Sequence, residues 1–207
     1  MQTILNEMKV GLFFGSFNPI HVGHLILANH FAQNSSLDQV WLVVSPRNPL
    51  KKKASLLDDH HRLAMVREAV DDNPLLSASN VEFELEQPSY TINTLVHLNE
   101  KYPQHEFSLI MGEDNLRSFH KWKNFDQILA NHKIYIYPRL KAEDEESSKQ
   151  ELIDKFLAHK NIELLDAPVI QISATMIRNL IADGKDARYL MTAPVHKYCT
   201  EMHFYKP

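Results

Sequence analysis

The chain has 207 residues, of which 44% are hydrophobic and 23% charged; these values are typical of a soluble globular protein with its own core. Its formal net charge of −4 argues against binding nucleic acid through a basic face. The single cysteine, Cys199, excludes an internal disulfide and favours a reducing compartment. The sequence has the features of neither a signal peptide nor a membrane span. We therefore expect one cytoplasmic domain, residues 1–207, without nucleic-acid or membrane partners.

Short β-rich runs alternate with longer helical segments along the chain. Strands are predicted at 10–14, 39–45, 80–86, 106–111 and 132–137, with short β runs at 162–165 and 169–172. Helices are predicted at 22–33, 58–70, 91–101 and within 113–130, and the chain is predicted to be helical from about residue 174. The charged run 141–150 is predicted to be a surface loop or the entry to a helix.

This alternation predicts an α/β fold of the Rossmann-like kind. The sheet is expected to be mostly parallel, with helices on both faces and the helical C-terminal part packed on it. In such sheets, ligands bind beyond the carboxyl ends of the strands, where the strand order reverses.

The first informative segment is FFGSFNPIHVGHL, residues 13–25. Gly15 follows the first strand and allows the backbone to turn close to a ligand. His21 and His24 lie three residues apart at the start of a helix, so both can face one side. The unpaired amides and the positive dipole end of a helix start suit a phosphate group. Taken alone, either histidine could instead be a capping or surface residue.

The second informative segment is ISATMIR, residues 172–178. Ser173 is a good N-cap for the helix that follows. Arg178 lies near the positive end of that helix, where a cation is disfavoured unless an anion faces it. A guanidinium group is well suited to phosphate oxygens. An ordinary exposed arginine is the alternative interpretation.

Both segments resemble signatures of the nucleotidyltransferase superfamily that carries the motif H-x-G-H or T-x-G-H. The second signature of that superfamily is I-S-[ST]-T-x-I-R, so Ala174 replaces a hydroxyl residue here. The resemblance implies that His24 contacts the α-phosphate of ATP and that His21 supports it. It further implies that three residues bind the departing pyrophosphate: Ser173, Thr175 and Arg178. We assign His21, His24 and Arg178 as catalytic and add Gly15, Ser16 and Phe17 to the ATP site.

Four further segments resemble the bacterial nicotinate-nucleotide adenylyltransferases, and the resemblance covers nearly the whole chain. They are SYTINTL at 89–95, MGEDNLRSFHKW at 111–122, HRLAMVREAV at 61–70, with Arg62 and Met65 in register, and YLMTAPVHKYC at 189–199. This resemblance implies an enzyme of NAD biosynthesis that joins AMP from ATP to nicotinate mononucleotide and releases pyrophosphate. It implies Mg²⁺ carried mainly by the phosphates of ATP, without a protein metal site.

The resemblance also implies further binding residues. Tyr90, Thr91 and Trp122 are expected to bind the nicotinate group, and ring stacking on Trp122 is worth about 1 kcal/mol beyond burial. Trp122 could otherwise be a core aromatic, although Lys121 and Lys123 beside it suggest exposure. The remaining assignments to the ATP site are Gly112, Asp114 for a ribose hydroxyl, Arg139 for the adenine side and Lys51. Asp114 could also cap a helix, and Lys51 could be an ordinary surface lysine.

The loop at 46–52 reads PRNPLKK, where Leu50 replaces a histidine that this family usually has. Three other functions remain open from the sequence. They are a sibling transferase for nicotinamide mononucleotide or phosphopantetheine, a cytidylyltransferase, and a non-catalytic ATP sensor. The Tyr90-Thr91 pair and Trp122 favour the nicotinate enzyme over its siblings. A dehydrogenase is disfavoured because the G-x-G-x-x-G fingerprint is absent. A homo-oligomer is compatible with the sequence.

Overall fold

The computed structural model describes residues 7–46, 56–139 and 147–206. The strands are β1 Lys9–Gly15, β2 Gln39–Val44, β3 Leu76–Ser79, β4 Glu106–Gly112, β5 Ile134–Tyr137 and β6 Ile162–Leu164. The helices are α1 Val22–Asn34, α2 Asp59–Val70, α3 Thr91–Lys101, α4 Glu113–Phe119, α5 Phe125–Asn131, α6 Ser147–Leu157, α7 Ala174–Ala182 and α8 Ala193–Glu201. Short 3-10 helices lie at Val81–Glu84 and Arg188–Leu190.

The strands form one sheet in the order β3-β2-β1-β4-β5-β6, and every neighbouring pair is parallel. β1 pairs with β2 on one side and with β4 on the other. The chain order therefore reverses between β1 and β4, and the carboxyl ends of these two strands flank the expected ligand crevice. This arrangement confirms the predicted α/β, Rossmann-like fold.

Both faces of the sheet are covered, because residues of the four inner strands β2, β1, β4 and β5 enter two opposite hydrophobic clusters. In β5, Ile134 and Ile136 pack on one face, whereas Tyr135 and Tyr137 pack on the other. Core residues of α1, α2, α7 and α8 belong to the cluster with the tyrosines, and those of α3, α4, α5 and α6 belong to the opposite cluster. The helices on both faces and the helical C-terminal part are as predicted.

The strand predicted at 80–86 is wrong. The strand in this region is β3, which ends at Ser79 beside Val43 of β2. Because β2 itself ends one residue later, a longer β3 would have no backbone partners there. The chain turns at Asn80 into a 3-10 helix, Val81–Glu84, which buries Val81 and Glu82.

The β run predicted at 169–172 is also not a strand. After β6, the chain leaves the edge of the sheet and crosses towards the start of α7. Ile170 and Ile172 still find an apolar environment because they pack on the cluster that contains Leu27 of α1. Their hydrophobicity therefore reflects contact with a helix and a cavity rather than strand pairing.

Part of the charged run at 141–150 lies outside the described residues, and its last four residues begin α6. The sequence indicated at most a helix entry here, whereas the helix extends to Leu157 and buries Ile153 and Phe156. Within 7–46, 56–139 and 147–206, no helix is long and apolar enough to cross a membrane.

Candidate active site

The loop after β1 begins the site at the carboxyl edge of the sheet. Phe17 has a positive φ of 42°, and its ring is almost fully buried. A Cβ atom on Gly15 would lie 2.8 Å from the Phe17 ring, so only glycine fits beneath that ring. The ring in turn contacts the His24 ring edge-on, with 5.0 Å between the ring centroids. The predicted glycine turn thus positions the second histidine through Phe17.

His21 and His24 stack on each other, with 3.6 Å between the ring centroids and an interplanar angle of 26°. His21 is the N-cap residue of α1, and His24 lies in its first turn. The backbone N–H of His21 donates to Nδ1 of His24 over 3.3 Å. A neutral His24 ring must therefore carry its proton on Nε2. His24 is thus prepared to donate one hydrogen bond to a ligand.

Both histidines are neutral at pH 7. Burial, with a smaller contribution from the positive charge of Arg139, lowers the pKa of His21 to about 4. Burial also lowers the pKa of His24 well below 6.5, with smaller contributions from His21 and Arg139. The histidines therefore offer hydrogen bonds rather than charge, and the positive charge beside them belongs to Arg139.

A cavity of about 190 Å³ opens beside the two histidines. It is bounded by the start of α1, the end of β5 and the segment that leads into α7. The lining residues are His21, Gly23, His24, Leu27, Tyr137, Pro138, Arg139, Ile170, Ile172, Ser173 and Ala174. Such a mixture of apolar walls with a few polar groups is typical of a small-molecule site.

The start of α7 contributes the second predicted motif. The Ser173 hydroxyl accepts a hydrogen bond from the Met176 backbone N–H over 3.2 Å, as predicted for an N-cap. Arg178 donates through Nη2 to the Thr175 hydroxyl over 3.1 Å and through Nη1 to the Asn18 carbonyl over 2.8 Å. Ser173 lines the cavity, whereas Thr175 and Arg178 do not. Arg178 therefore joins the two motifs directly.

The end of β4 and the residues after β5 lie on the same edge. Nε of Arg139 lies 3.5 Å from Oδ1 of Asp114, and both side chains are partly exposed. A Cβ atom on Gly112 would collide with that carboxylate, which explains glycine at this position. The structure thus brings Gly112, Asp114 and Arg139 together, and Arg139 enters the cavity with the histidines.

The predicted nicotinate-binding residues lie in a neighbouring region rather than in the cavity. Tyr90 precedes α3 and is 42% exposed, and Thr91 begins that helix. Trp122 is half-buried in the turn between α4 and α5, where its ring centroid is 5.4 Å from that of Phe119. Nζ of Lys123 lies 4.6 Å from the centre of the Tyr90 ring. This contact brings the two segments together.

Two predictions fall in the loop that follows β2. Lys51 and the departure at Leu50 lie outside the described residues. Ser16, by contrast, is described, and its carbonyl accepts a hydrogen bond from Arg62 over 2.6 Å.

Sequence reasoning assigned no role to several buried polar groups around the site. Arg62 is completely buried and also donates to the Ser45 carbonyl over 2.8 Å, so it ties the loop after β1 to the end of β2. Glu82 is buried below α3 and accepts from the Thr94 hydroxyl over 3.0 Å. In the sequence, the position of a charged residue between the apolar Val81 and Phe83 could have indicated a buried role for Glu82. Tyr205, whose hydroxyl donates to Oδ1 of Asn18 over 2.8 Å, had no comparable signal in the sequence.

Comparison with known proteins places this geometry in a family. The sequence model of the family described as cytidylyltransferase-like matches residues 12–180. A probable nicotinate-nucleotide adenylyltransferase of Flavobacterium psychrophilum is 54% identical over 199 residues, 96% of this chain and 100% of that protein. A probable nicotinate-nucleotide adenylyltransferase of Bacteroides fragilis is 42% identical over 191 residues, 92% of this chain and 90% of that protein.

Among solved structures, the nicotinic acid mononucleotide adenylyltransferase of Plasmodium falciparum complexed with NaAD has a TM-score of 0.75 at 16% identity. The match covers 96% of this chain and 98% of that chain, and at this identity it supports the fold alone. The family match and the close relatives establish what the motifs indicated: the chain belongs to the cytidylyltransferase-like family, among the nicotinate-nucleotide adenylyltransferases.

Proposed function

We propose that the protein transfers AMP from ATP to nicotinate mononucleotide, forming nicotinate adenine dinucleotide and pyrophosphate. The observation that carries the proposal is the stacked pair of neutral histidines at the start of α1, in one cavity with Arg139 and Ser173. A helix start, two imidazoles and a guanidinium form a site suited to phosphate groups. The names of the close relatives supply the acceptor.

The reaction requires no covalent intermediate on the protein. A phosphate oxygen of the mononucleotide attacks the α-phosphorus of ATP, and the bond from that phosphorus to the oxygen of the leaving pyrophosphate breaks. The two electrons of that bond leave with pyrophosphate. Catalysis then depends on positioning and on stabilising the charge that spreads over the phosphate oxygens.

Each motif residue has a role in this scheme. His24 donates from Nε2 to an oxygen of the α-phosphate, and His21 holds the tautomer of His24 through its backbone N–H. Ser173, Thr175 and Arg178 bind the phosphates that leave. The Ser173 hydroxyl can cap the helix and bind a phosphate at the same time, since it accepts from the Met176 N–H and still has its own proton to donate.

Mg²⁺ would reach the site on the phosphates of ATP. This cation favours phosphate oxygens and retained water over an all-protein cage. In the described ranges, no three His, Cys, Asp or Glu side chains group so as to hold a metal ion. When bound, Mg²⁺ would neutralise the phosphate charge that Arg139 and Arg178 neutralise only in part.

The acceptor would bind across the start of α3. The N-terminus of α3 lies at the carboxyl edge of the sheet, so its unpaired amides can face a carboxylate. Tyr90 and Thr91 form this end of the helix, and the turn with Trp122 approaches it through Lys123. A carboxylate suits such amides better than a carboxamide does, which favours nicotinate over nicotinamide. Nothing in the chemistry requires a membrane, and we propose that it takes place in the cytoplasm.

The experiment is to measure pyrophosphate release with ATP and Mg²⁺, offering nicotinate mononucleotide, nicotinamide mononucleotide and phosphopantetheine separately. We expect release with the first acceptor and little with the other two. Release only with another acceptor would overturn the substrate while retaining the reaction class. ATP binding without release for any acceptor would show a sensor instead of an enzyme.

A further inference from the structure

The turn between β1 and α1 is held at Asn18 by contacts from distant parts of the chain. Asn18 is almost fully buried. Its Oδ1 accepts from the phenol of Tyr205 over 2.8 Å and from the backbone N–H of Leu57 over 3.3 Å. Its carbonyl accepts from Arg178 over 2.8 Å. The residues just before the first histidine are therefore fixed by both α7 and the segment that follows α8.

The segment after α8 is bent back to reach this turn. His203 and Tyr205 have positive φ values of 55° and 63°, which are disfavoured for residues other than glycine. The N–H of Phe204 donates to the Cys199 carbonyl over 3.0 Å, and its ring lies edge-on to His61 with 4.9 Å between centroids. Disfavoured backbone conformations persist where surrounding contacts determine them, and they concentrate at functional sites.

We propose that Tyr205 is a positioning residue of the phosphate-transfer site. Its hydroxyl holds Asn18 and thereby the turn that carries His21 and His24. The proposal deepens the function proposed above and rests on it.

The chemistry of the contact fits this role. Burial raises the pKa of Tyr205, so the phenol stays protonated and donates to the Asn18 oxygen. Asn18 lies three residues before His21, and Phe17 on its other side contacts the His24 ring. A loss of this hydrogen bond would therefore loosen the turn that places His24. A small misplacement of a group in the transition state strongly lowers the rate of transfer.

The test compares Tyr205→Phe with Tyr198→Phe. Each substitution keeps the ring and removes one hydroxyl from the C-terminal part. The hydroxyl of Tyr198 lies 3.0 Å from Nδ1 of His61, whereas that of Tyr205 lies 2.8 Å from Oδ1 of Asn18. The control therefore reproduces the loss of one hydrogen bond without altering Asn18. Melting temperature, the ATP dissociation constant by calorimetry, kcat and KM would be measured for both variants and the unsubstituted protein.

We expect Tyr205→Phe to weaken ATP binding and to lower kcat, each by about fivefold, the effect of one typical hydrogen bond. KM for nicotinate mononucleotide should stay unchanged in Tyr205→Phe. Tyr198→Phe should leave ATP affinity, kcat and KM unchanged. Equal ATP affinity and equal kcat in the two variants would overturn the role of Tyr205. If the unsubstituted protein bound ATP but released no pyrophosphate, the proposed function would fail, and the ATP affinities alone would decide the role of Tyr205.

Discussion

At the scale of single residues, burial is the main reason why the two histidines are uncharged. An isolated imidazole has a pKa near 6.5, and the burial of both rings beside Arg139 lowers that value. A neutral ring with Nδ1 occupied is a directed donor, and its proton needs no rearrangement when charge develops on a phosphate. Preorganised donors of this kind account for much of the rate enhancement in enzymes.

Replacing His24 with Ala should lower kcat by about 10²–10³-fold, because one donor to the developing charge is lost. Pyrophosphate release at saturating substrates is the measurement. His30→Ala is a matched control, since His30 lies on the same helix and outside the cavity. His24→Ala loses the hydrogen bond from the His21 N–H, so its melting temperature is measured to confirm that it is folded at the assay temperature. Near-normal turnover of His24→Ala would remove this side chain from the mechanism.

At the scale of elements, the first residue of α7, Ala174, and its N-cap, Ser173, line the cavity. Removal of a serine N-cap costs about 1 kcal/mol of the free energy of unfolding. We expect Ser173→Ala to lose that amount in denaturant titration and also to raise KM for ATP.

The control for this change is Thr192→Ala. Thr192 is the N-cap residue of α8, but its side chain makes no capping hydrogen bond. Its substitution should leave the free energy of unfolding and KM for ATP nearly unchanged. A Ser173→Ala protein with unchanged KM would show that the hydroxyl acts as a cap alone.

The sequence predicted those strands and helices that a local residue pattern determines. It failed where the structure depends on residues that are distant in the chain. Residues 169–172 have the apolar composition of a strand, but β6 already forms the edge of the sheet. At 80–86, the alternating residues belong largely to a 3-10 helix, because β2 offers no further backbone partners. Periodicity describes which side chains are apolar, whereas pairing depends on the neighbouring strand.

The same contrast between local patterns and long-range contacts applies to the candidate site. Histidine spacing and the ISATMIR segment are local, so the residues of both motifs could be named from the sequence. Their junction could not, because Arg178 and Tyr205 contact Asn18 across 160 and 187 positions. The burial that makes His21 neutral likewise depends on the whole fold.

At the scale of the whole molecule, the lowered pKa of His21 couples stability to pH. The unfolded chain binds a proton on this residue near pH 6.5, whereas the folded protein does so only near pH 4. Between these values the unfolded state holds more protons, so stability falls as the pH falls. The contribution of His21 is complete above pH 6.5 and amounts to about 3 kcal/mol over this window.

Denaturant titrations at pH 7, 5.5 and 4 would test this coupling. The unsubstituted protein should lose more free energy of unfolding between pH 7 and 4 than His21→Gln, because glutamine does not titrate. Parallel curves for the two proteins would contradict the assignment of a low pKa to His21. The comparison requires no substrate, so it is independent of the proposed activity.

The junction at Asn18 also has a consequence for folding kinetics. Contacts between residues so far apart close long loops at an entropic cost that slows folding, and we therefore expect this junction to form late. The nucleotide site should then be absent from the folding transition state and complete only in the native protein. ATP would stabilise that state alone, so added nucleotide should slow unfolding while leaving the rate of folding unchanged.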